Sequence, residues 1–237
     1  YGVAYFCEQM LKTVHQEIKD KIFTVSGFGN VAWGVIKKID ELGGRVVTIS
    51  GPDGYIYDAD GITGHKIDYL LKLRNSGRNK CEDYINEYPN AQFFPNKRPW
   101  EVKCDVAIPA ATQNELDLDD AINLVHNGCT CVVEAANMPS TLEAINYFIE
   151  NQILFSPGKA SNAGGVATSG LEMTQNSIRL NWSSEEVDAK LKTIMVGIHK
   201  LCQEYGEEEN GYVNYVKGAN IAGFVKVADA MLAQGVV

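Results

Sequence analysis

The feature that most constrains this chain is a glycine-rich turn between an apolar stretch and an apolar-periodic helix. Residues 21–26 predict a buried strand, and residues 45–50 predict a second one. Between them lies the G-x-G-x-x-A pattern Gly27-Phe28-Gly29-Asn30-Val31-Ala32, which opens a helix over about residues 30–42. This order predicts a βαβ unit, which favours parallel strands.

Each residue type in this turn suits the approach of a phosphate group. Gly27 allows a tight turn out of the strand, Gly29 has no side chain to block a pyrophosphate, and Ala32 lets helix and strand pack closely. The helix N-terminus adds free N–H groups and the positive end of its dipole. The motif alone is weak evidence, but a strand before it and a helix and strand after it are the context that a dinucleotide site requires. A purely structural strand–helix turn is the alternative.

The rest of the chain continues the alternation of strands and helices. Further strands are predicted at 55–57, 104–109, 129–134 and 153–155. Helices are predicted at about 1–11, 66–75, 81–88, 117–126, 140–151, 165–180, 184–205 and 221–234, with a loop at 89–99. Ser140 and Glu143 form a capping-box pattern. The predicted fold class is α/β: a doubly wound, mostly parallel, Rossmann-like sheet flanked by helices, with further helices at the C-terminus.

Composition narrows the function classes. The 237 residues carry a net charge of −9, which disfavours a broad nucleic-acid-binding face. No apolar run approaches the roughly 18–20 residues that span a bilayer. Six cysteines without a C-x-x-C motif favour reduced buried thiols, and the four scattered histidines give a metal site little support. Cys129 and Cys131 alternate, so we expect them on one face of a strand.

The end of the second predicted strand bears on which dinucleotide is bound. Ser50 and Gly51 occupy the usual position of the ribose-binding acid, and Asp53 follows behind Pro52. A phosphate about 5 Å from that carboxylate is repelled by roughly 3 kcal/mol per charge pair at an effective dielectric constant of about 20. We therefore predict NAD, with NADP as the alternative. The competing interpretation is that Asp53 only serves an Asp-Gly turn.

Three small-residue segments, rich in amides and hydroxyls, follow the later strands. They are residues 109–115, 134–139 and 158–166. Each alone is typical of an ordinary connection, but ligands of open α/β sheets bind beyond the carboxyl ends of the strands. Lys159 is a candidate anchor, although a lone loop lysine is usually solvated. No acid–base pair or nucleophile triad is evident, so we assign no catalytic residue to this chain.

Longer motifs resemble one enzyme family across essentially the whole chain. They occupy residues 26–32, 111–116, 136–139, 162–166, 169–173, 218–224 and 228–235. With these motifs the chain resembles the C-terminal, dinucleotide-binding half of a hexameric-type glutamate dehydrogenase. The combination of Phe28 with residues 51–54 is similar to the bacterial NAD-linked members.

The resemblance implies an activity and a set of site residues. The activity is the reversible oxidative deamination of L-glutamate to 2-oxoglutarate and ammonia, with hydride transfer between the glutamate α-carbon and the nicotinamide. The implied cofactor-binding residues are Ser26, Gly27, Phe28, Gly29, Asn30, Val31, Gly51, Pro52, Asp53, Ala111, Thr112, Asn137 and Asn162. The implied substrate-binding residues are Asn162, Val166 and Ser169, with the Ser169 hydroxyl on the distal carboxylate.

The sequence departs from the family in one large respect. The family's substrate-binding lysines and catalytic aspartate lie in an N-terminal domain that this sequence does not contain. The chain begins with Tyr1 inside an uncapped helical pattern, so we expect it to start within a longer protein. We therefore expect residues 1–237 to form one dinucleotide-binding domain, inactive alone, in which about 219–237 is a helix returning toward the absent domain. The resemblance also implies a cytoplasmic homo-hexamer at full length, with no nucleic-acid or membrane partner.

Three alternatives remain at this point. The first is a leucine- or phenylalanine-type amino acid dehydrogenase, against which Ser169 argues because a pocket for an apolar side chain needs no hydroxyl. The second is a free-standing, non-catalytic NAD-binding module. The third, a structural interaction protein, has no need for amide-rich strand ends.

Overall fold

The computed structural model describes residues 1–235 and confirms the α/β fold class. The helices are α1 (Gly2–Thr13), α2 (Asn30–Glu41), α3 (His65–Asn75), α4 (Tyr84–Glu87), α5 (Leu118–His126), α6 (Leu142–Glu150), α7 (Gly158–Ser161), α8 (Gly164–Ile178), α9 (Ser184–Gly206) and α10 (Tyr215–Gln234). The strands are β1 (Ile22–Val25), β2 (Arg45–Val46), β3 (Thr48–Gly51), β4 (Gly54–Tyr57), β5 (Gln92–Pro95), β6 (Val106–Ile108), β7 (Cys131–Val133) and β8 (Leu154–Ser156).

Five parallel strands form the main sheet in the order β2-β1-β6-β7-β8. Four of these strands, β1, β6, β7 and β8, are almost continuously buried, as expected for a parallel sheet that is covered on both faces. From β1 the chain passes first to β2 on one side and later to β6 on the other. The space beyond the carboxyl ends of β1 and β6 is therefore the topological switch point, where ligands bind in open α/β sheets.

The predicted strand over 45–50 is only half correct. Arg45–Val46 pairs in parallel with β1, but Thr48–Gly51 leaves the main sheet and pairs antiparallel with β4. The predicted loop over 89–99 is also wrong, because it contains β5, which completes this second, three-stranded sheet. Proline is tolerated on such an edge strand, and the ring of Phe94 stacks on Tyr55 with 4.7 Å between centroids.

The two faces of the main sheet carry separate hydrophobic clusters. Alternate residues of each strand divide between them: Val106 contributes to the larger cluster and Ala107 to the smaller one. Cys131 packs in the larger cluster and Cys129 in the smaller, so the prediction that they share a strand face is wrong. The reason is that Cys129 precedes β7 and is not in the pleat. All six cysteines are buried free thiols.

Two helix starts differ from the sequence-based expectations. Thr141, not Ser140, caps α6 by accepting the Ala144 N–H at 3.4 Å. Helix α10 begins at Tyr215, six residues before the predicted start, with the Asn214 side chain as its cap. The longer helix includes Gly218, which lies against the Cys202 backbone of α9.

The predicted returning helix at 219–237 falls on α10, except that residues 236 and 237 lie outside the described part of the chain. Its orientation toward another domain stays a prediction. Within residues 1–235, no helix combines the length and the apolar character needed to cross a bilayer.

The α9–α10 crossing gives a test of stability. We expect Gly218→Ala to destabilise the chain by about 1–3 kcal/mol or more, because its Cβ would overlap the Cys202 carbonyl oxygen. Gly223→Ala on the same helix meets no atom within 4 Å and should be neutral or stabilising by about 0.5–1 kcal/mol. Urea unfolding measures both changes, and equal effects of the two substitutions would contradict this account of the crossing.

Candidate functional site

The glycine turn is fixed by close contact between two backbone segments. Gly27 has a φ of +80°, and a Cβ placed on it would lie 3.1 Å from the carbonyl oxygen of Ala110, which follows β6. The Gly27 N–H donates to the Ser50 hydroxyl at 2.8 Å. Only glycine meets both the backbone conformation and the space at this position.

The N-terminus of α2 is open. Gly29 is its N-cap residue, and among residues 1–235 no side chain caps the helix and no atom lies within 4 Å of a Cβ placed on Gly29. In this part of the chain, no protein group therefore competes for the first N–H groups of α2 or for its positive dipole end. Ala32 is fully buried, as close packing of helix on sheet requires. A pyrophosphate group fits this arrangement of bare amides and free space.

A cleft of about 590 Å³ lies in front of the turn. The predicted cofactor residues on its wall are Gly27, Phe28, Gly29, Gly51, Pro52, Ala111 and Thr112. Ser26 lies behind the wall: it is fully buried, and its hydroxyl accepts the Ala110 N–H at 2.8 Å. Its position indicates that it shapes the cleft from behind.

Asp53 lies beside this cleft, and its carboxylate is engaged within the fold. The two oxygens accept the N–H groups of Cys81 at 3.1 Å and Glu82 at 3.0 Å. Burial raises the pKa of Asp53, but these hydrogen bonds outweigh it and hold the pKa below its usual value. A Cβ on Gly51 would lie 2.6 Å from Asp53 Oδ1, so the negative charge lies directly behind the Gly51 wall.

Three cations that the sequence analysis did not single out also line the first cleft. Arg98 pairs with the carboxylates of Asp117 at 3.2 Å and Asp120 at 3.0 Å. Lys97 pairs with the carboxylate of Glu101. Arg74 of α3 donates a hydrogen bond to the side-chain oxygen of Asn30. Arg74 and the adjacent pair Lys97 and Arg98 are all distant in sequence from the glycine turn, so no local motif links them to it.

A second cleft, of about 610 Å³, adjoins the first and shares the loop after β6 with it. The predicted residues on its wall are Val31, Ala111, Thr112, Asn137, Asn162, Val166 and Ser169. The Asn162 side-chain amide donates to Asn137 Oδ1 at 2.9 Å and to the Ala136 carbonyl at 3.3 Å. Val166 is 78% exposed, and the Ser169 hydroxyl donates to the Gly165 carbonyl at 3.3 Å. The structure thus brings the two predicted residue sets to one continuous groove, except for Ser26, Asn30 and Asp53, which line neither cleft.

Two buried glutamates hold the loops that form this groove. Glu115 Oε1 accepts the N–H groups of Ala111 at 2.9 Å and Thr112 at 3.2 Å. Glu134 accepts backbone N–H groups from the next two loops. Burial raises the pKa of both carboxyls, although the backbone hydrogen bonds oppose this shift. Both residues lie in segments noted in the sequence, 109–115 and 134–139, but no role was predicted for either of them.

The family model for glutamate/leucine/phenylalanine/valine dehydrogenases matches residues 1–235. The chain belongs to this family. It is 59% identical over 237 residues to an NAD-specific glutamate dehydrogenase of Bacteroides fragilis, and 52% identical over 237 residues to an NADP-specific glutamate dehydrogenase of Haemophilus influenzae.

Each of these alignments covers the whole chain and 53% of the relative. The chain therefore spans about half the length of the curated relatives it matches. A solved glutamate dehydrogenase structure superposes with a TM-score of 0.96 at 48% identity, over 100% of this chain and 53% of that one. The α/β fold with its parallel sheet is therefore shared with the matched half of that structure.

Proposed function

We propose that this chain is the dinucleotide-binding half of a glutamate dehydrogenase, which interconverts L-glutamate with 2-oxoglutarate and ammonia. The observation that carries the proposal is the uncapped N-terminus of α2 facing an open cleft that runs on into a second, amide-lined cleft. When bound, NAD supplies the nicotinamide ring that takes up and returns the hydride.

The residues of the two clefts divide the work of binding. Gly27 and Gly29 admit the pyrophosphate to the backbone, and the turn residues Phe28, Asn30 and Val31 flank it. At the other end of the dinucleotide, the residues beside the nicotinamide and its ribose are Thr112, Asn137 and Asn162. The hydrogen bond between Asn137 and Asn162 supports a single orientation of both amides toward the nicotinamide.

The substrate side of the groove favours glutamate over an apolar amino acid. Val166 and Ser169 lie on the exposed first turns of α8, and a hydroxyl there can donate to the distal carboxylate of glutamate. A leucine or phenylalanine side chain offers no acceptor to such a hydroxyl. On the family resemblance, we also propose that the full-length protein is a cytoplasmic homo-hexamer.

We propose that the proton-transfer group comes from outside this chain, as the family resemblance implies. None of the described residues that line the second cleft is ionisable. Hydride transfer to or from an amino acid also requires a group that gives and takes protons at the reacting nitrogen. We therefore expect the 237-residue chain to bind NAD but to show no turnover with glutamate and NAD. An absorbance assay for NADH formation measures this, and clear turnover would contradict the proposal.

A substitution at Gly29 tests the pyrophosphate site. Gly29→Ala should leave stability unchanged, because its Cβ meets no protein atom, and should weaken NAD binding by about tenfold or more, because the methyl group enters the space for the phosphates. Calorimetric titration with NAD measures the affinity. Gly34→Ala, on the same helix with only ordinary contacts, is the matched control. Unchanged NAD affinity in Gly29→Ala would reject the pyrophosphate assignment.

A substitution at Asp53 tests the cofactor preference. We propose that NAD is preferred, because the Asp53 charge behind Gly51 repels a 2′-phosphate, while two of the three cations on the wall are paired with carboxylates. Asp53→Asn keeps one acceptor oxygen for the backbone of residues 81–82 and removes the charge. The ratio of NADP to NAD affinity should rise by about tenfold. Equal affinities for the two dinucleotides in the unsubstituted chain would contradict this interpretation of Asp53.

A further inference from the structure

Glu134, directly after β7, is a buried carboxylate with both oxygens in use. It is 3% exposed. Its Oε1 accepts the Ser140 N–H at 3.2 Å, and its Oε2 accepts the Gly158 N–H at 2.7 Å. The first bond fixes the loop that leads from β7 to α6, and the second fixes the start of α7 after β8. One side chain thus joins the connections of two neighbouring strands.

The bond to Gly158 reaches the nicotinamide side of the groove through a single helical turn. Helix α7 begins at Gly158, and the Asn162 N–H closes the turn on the Gly158 carbonyl at 2.8 Å. Gly158 has little freedom, because a Cβ on it would lie 2.8 Å from the Ala136 carbonyl oxygen. The Ser161 hydroxyl also donates to the main-chain carbonyl of Glu134. The position of Asn162 relative to β7 is therefore set by the contacts of Glu134.

Only a carboxylate satisfies both backbone donors. A glutamine has one acceptor oxygen, and its NH₂ group would face the second N–H and leave that donor unpaired. Glu134 does not line either cleft. The side chain therefore makes no direct contact with a dinucleotide bound in these clefts, and its contacts reach the ligand through the residues that it holds.

We propose that Glu134 is a positioning residue that sets the Asn162 amide in the nicotinamide site by joining the loops after β7 and β8. This inference rests on the proposed function, since it takes Asn162 as a nicotinamide-side ligand. The side-chain amide of Asn162 donates to Ala136 and Asn137 in the loop after β7. Glu134 holds the same loop at its other end by accepting the Ser140 N–H. Asn162 is therefore the residue through which Glu134 affects the nicotinamide site.

The test compares two ligands that differ in whether they carry the nicotinamide ring. Affinities for NADH and for ADP-ribose, which lacks the nicotinamide, are measured by calorimetric titration of the 237-residue chain. Glu134→Gln should weaken NADH binding by about tenfold and leave ADP-ribose binding within about twofold. Glu143→Gln, an exposed residue on α6, is the matched control and should change neither affinity.

A double-mutant cycle identifies the route of the effect. Asn162→Ala alone should weaken NADH binding, and the addition of Glu134→Gln should cause no further loss if Glu134 acts through Asn162. Additive losses would overturn the inference. Equal losses of NADH and ADP-ribose affinity in Glu134→Gln would also overturn it, because they would indicate a merely structural role.

Failure of the inference and failure of the proposed function are distinguishable. If the unsubstituted chain binds neither NADH nor ADP-ribose, the proposed function fails. If it binds both and Glu134→Gln leaves their ratio unchanged, only the inference fails. Should Glu134→Gln not fold, Ser161→Ala loosens the same turn without touching the carboxylate, and it must lower the NADH to ADP-ribose affinity ratio for the inference to stand.

Discussion

The close approach of the turn after β1 to the loop after β6 is the constraint on which the site depends. A Cβ placed on Gly27 would lie only 3.1 Å from the Ala110 carbonyl oxygen, so the two segments can approach this closely because Gly27 has no side chain. That approach closes the floor of the cleft and leaves the first N–H groups of α2 facing free space. A side chain at this position would press on the Ala110 backbone and strain a residue whose φ is +80°.

Buried carboxylates hold the remaining walls where strands end. Glu115 gathers the amides of the loop after β6, and Glu134 gathers those of the loops after β7 and β8. Burying a carboxylate is costly unless its oxygens are satisfied, so each is placed where two backbone N–H groups converge. Small and polar residues of these loops line the groove, and hydrogen bonds to the two buried glutamates fix the shape of the loops from the opposite side. This arrangement explains how a groove lined by short side chains can still be rigid.

Local sequence was sufficient to predict the elements that are marked by their own residues. The glycine turn, helix α2 and the buried strands β1, β6, β7 and β8 were predicted because apolar runs and glycines mark them directly. Local sequence was insufficient where a distant partner decides the outcome. Helix α10 begins at Tyr215 and not at about residue 221, and it includes Gly218, where α9 approaches too closely for a Cβ. The edge strand β5 forms in a proline-containing stretch because β4 offers it a partner.

The sequence by itself determined the fold class, the glycine turn and many of the residues around the groove, because glycine conformation and hydrophobic periodicity act over a few residues. Only the tertiary structure decided which of those residues line the clefts and which lie behind their walls. It placed Ser26 behind the wall, turned the Asp53 carboxylate toward the backbone of Cys81 and Glu82, and added Arg74 from α3. These positions depend on hydrogen bonds and contacts between segments that are tens of residues apart, and such pairings leave no periodic signal in the sequence.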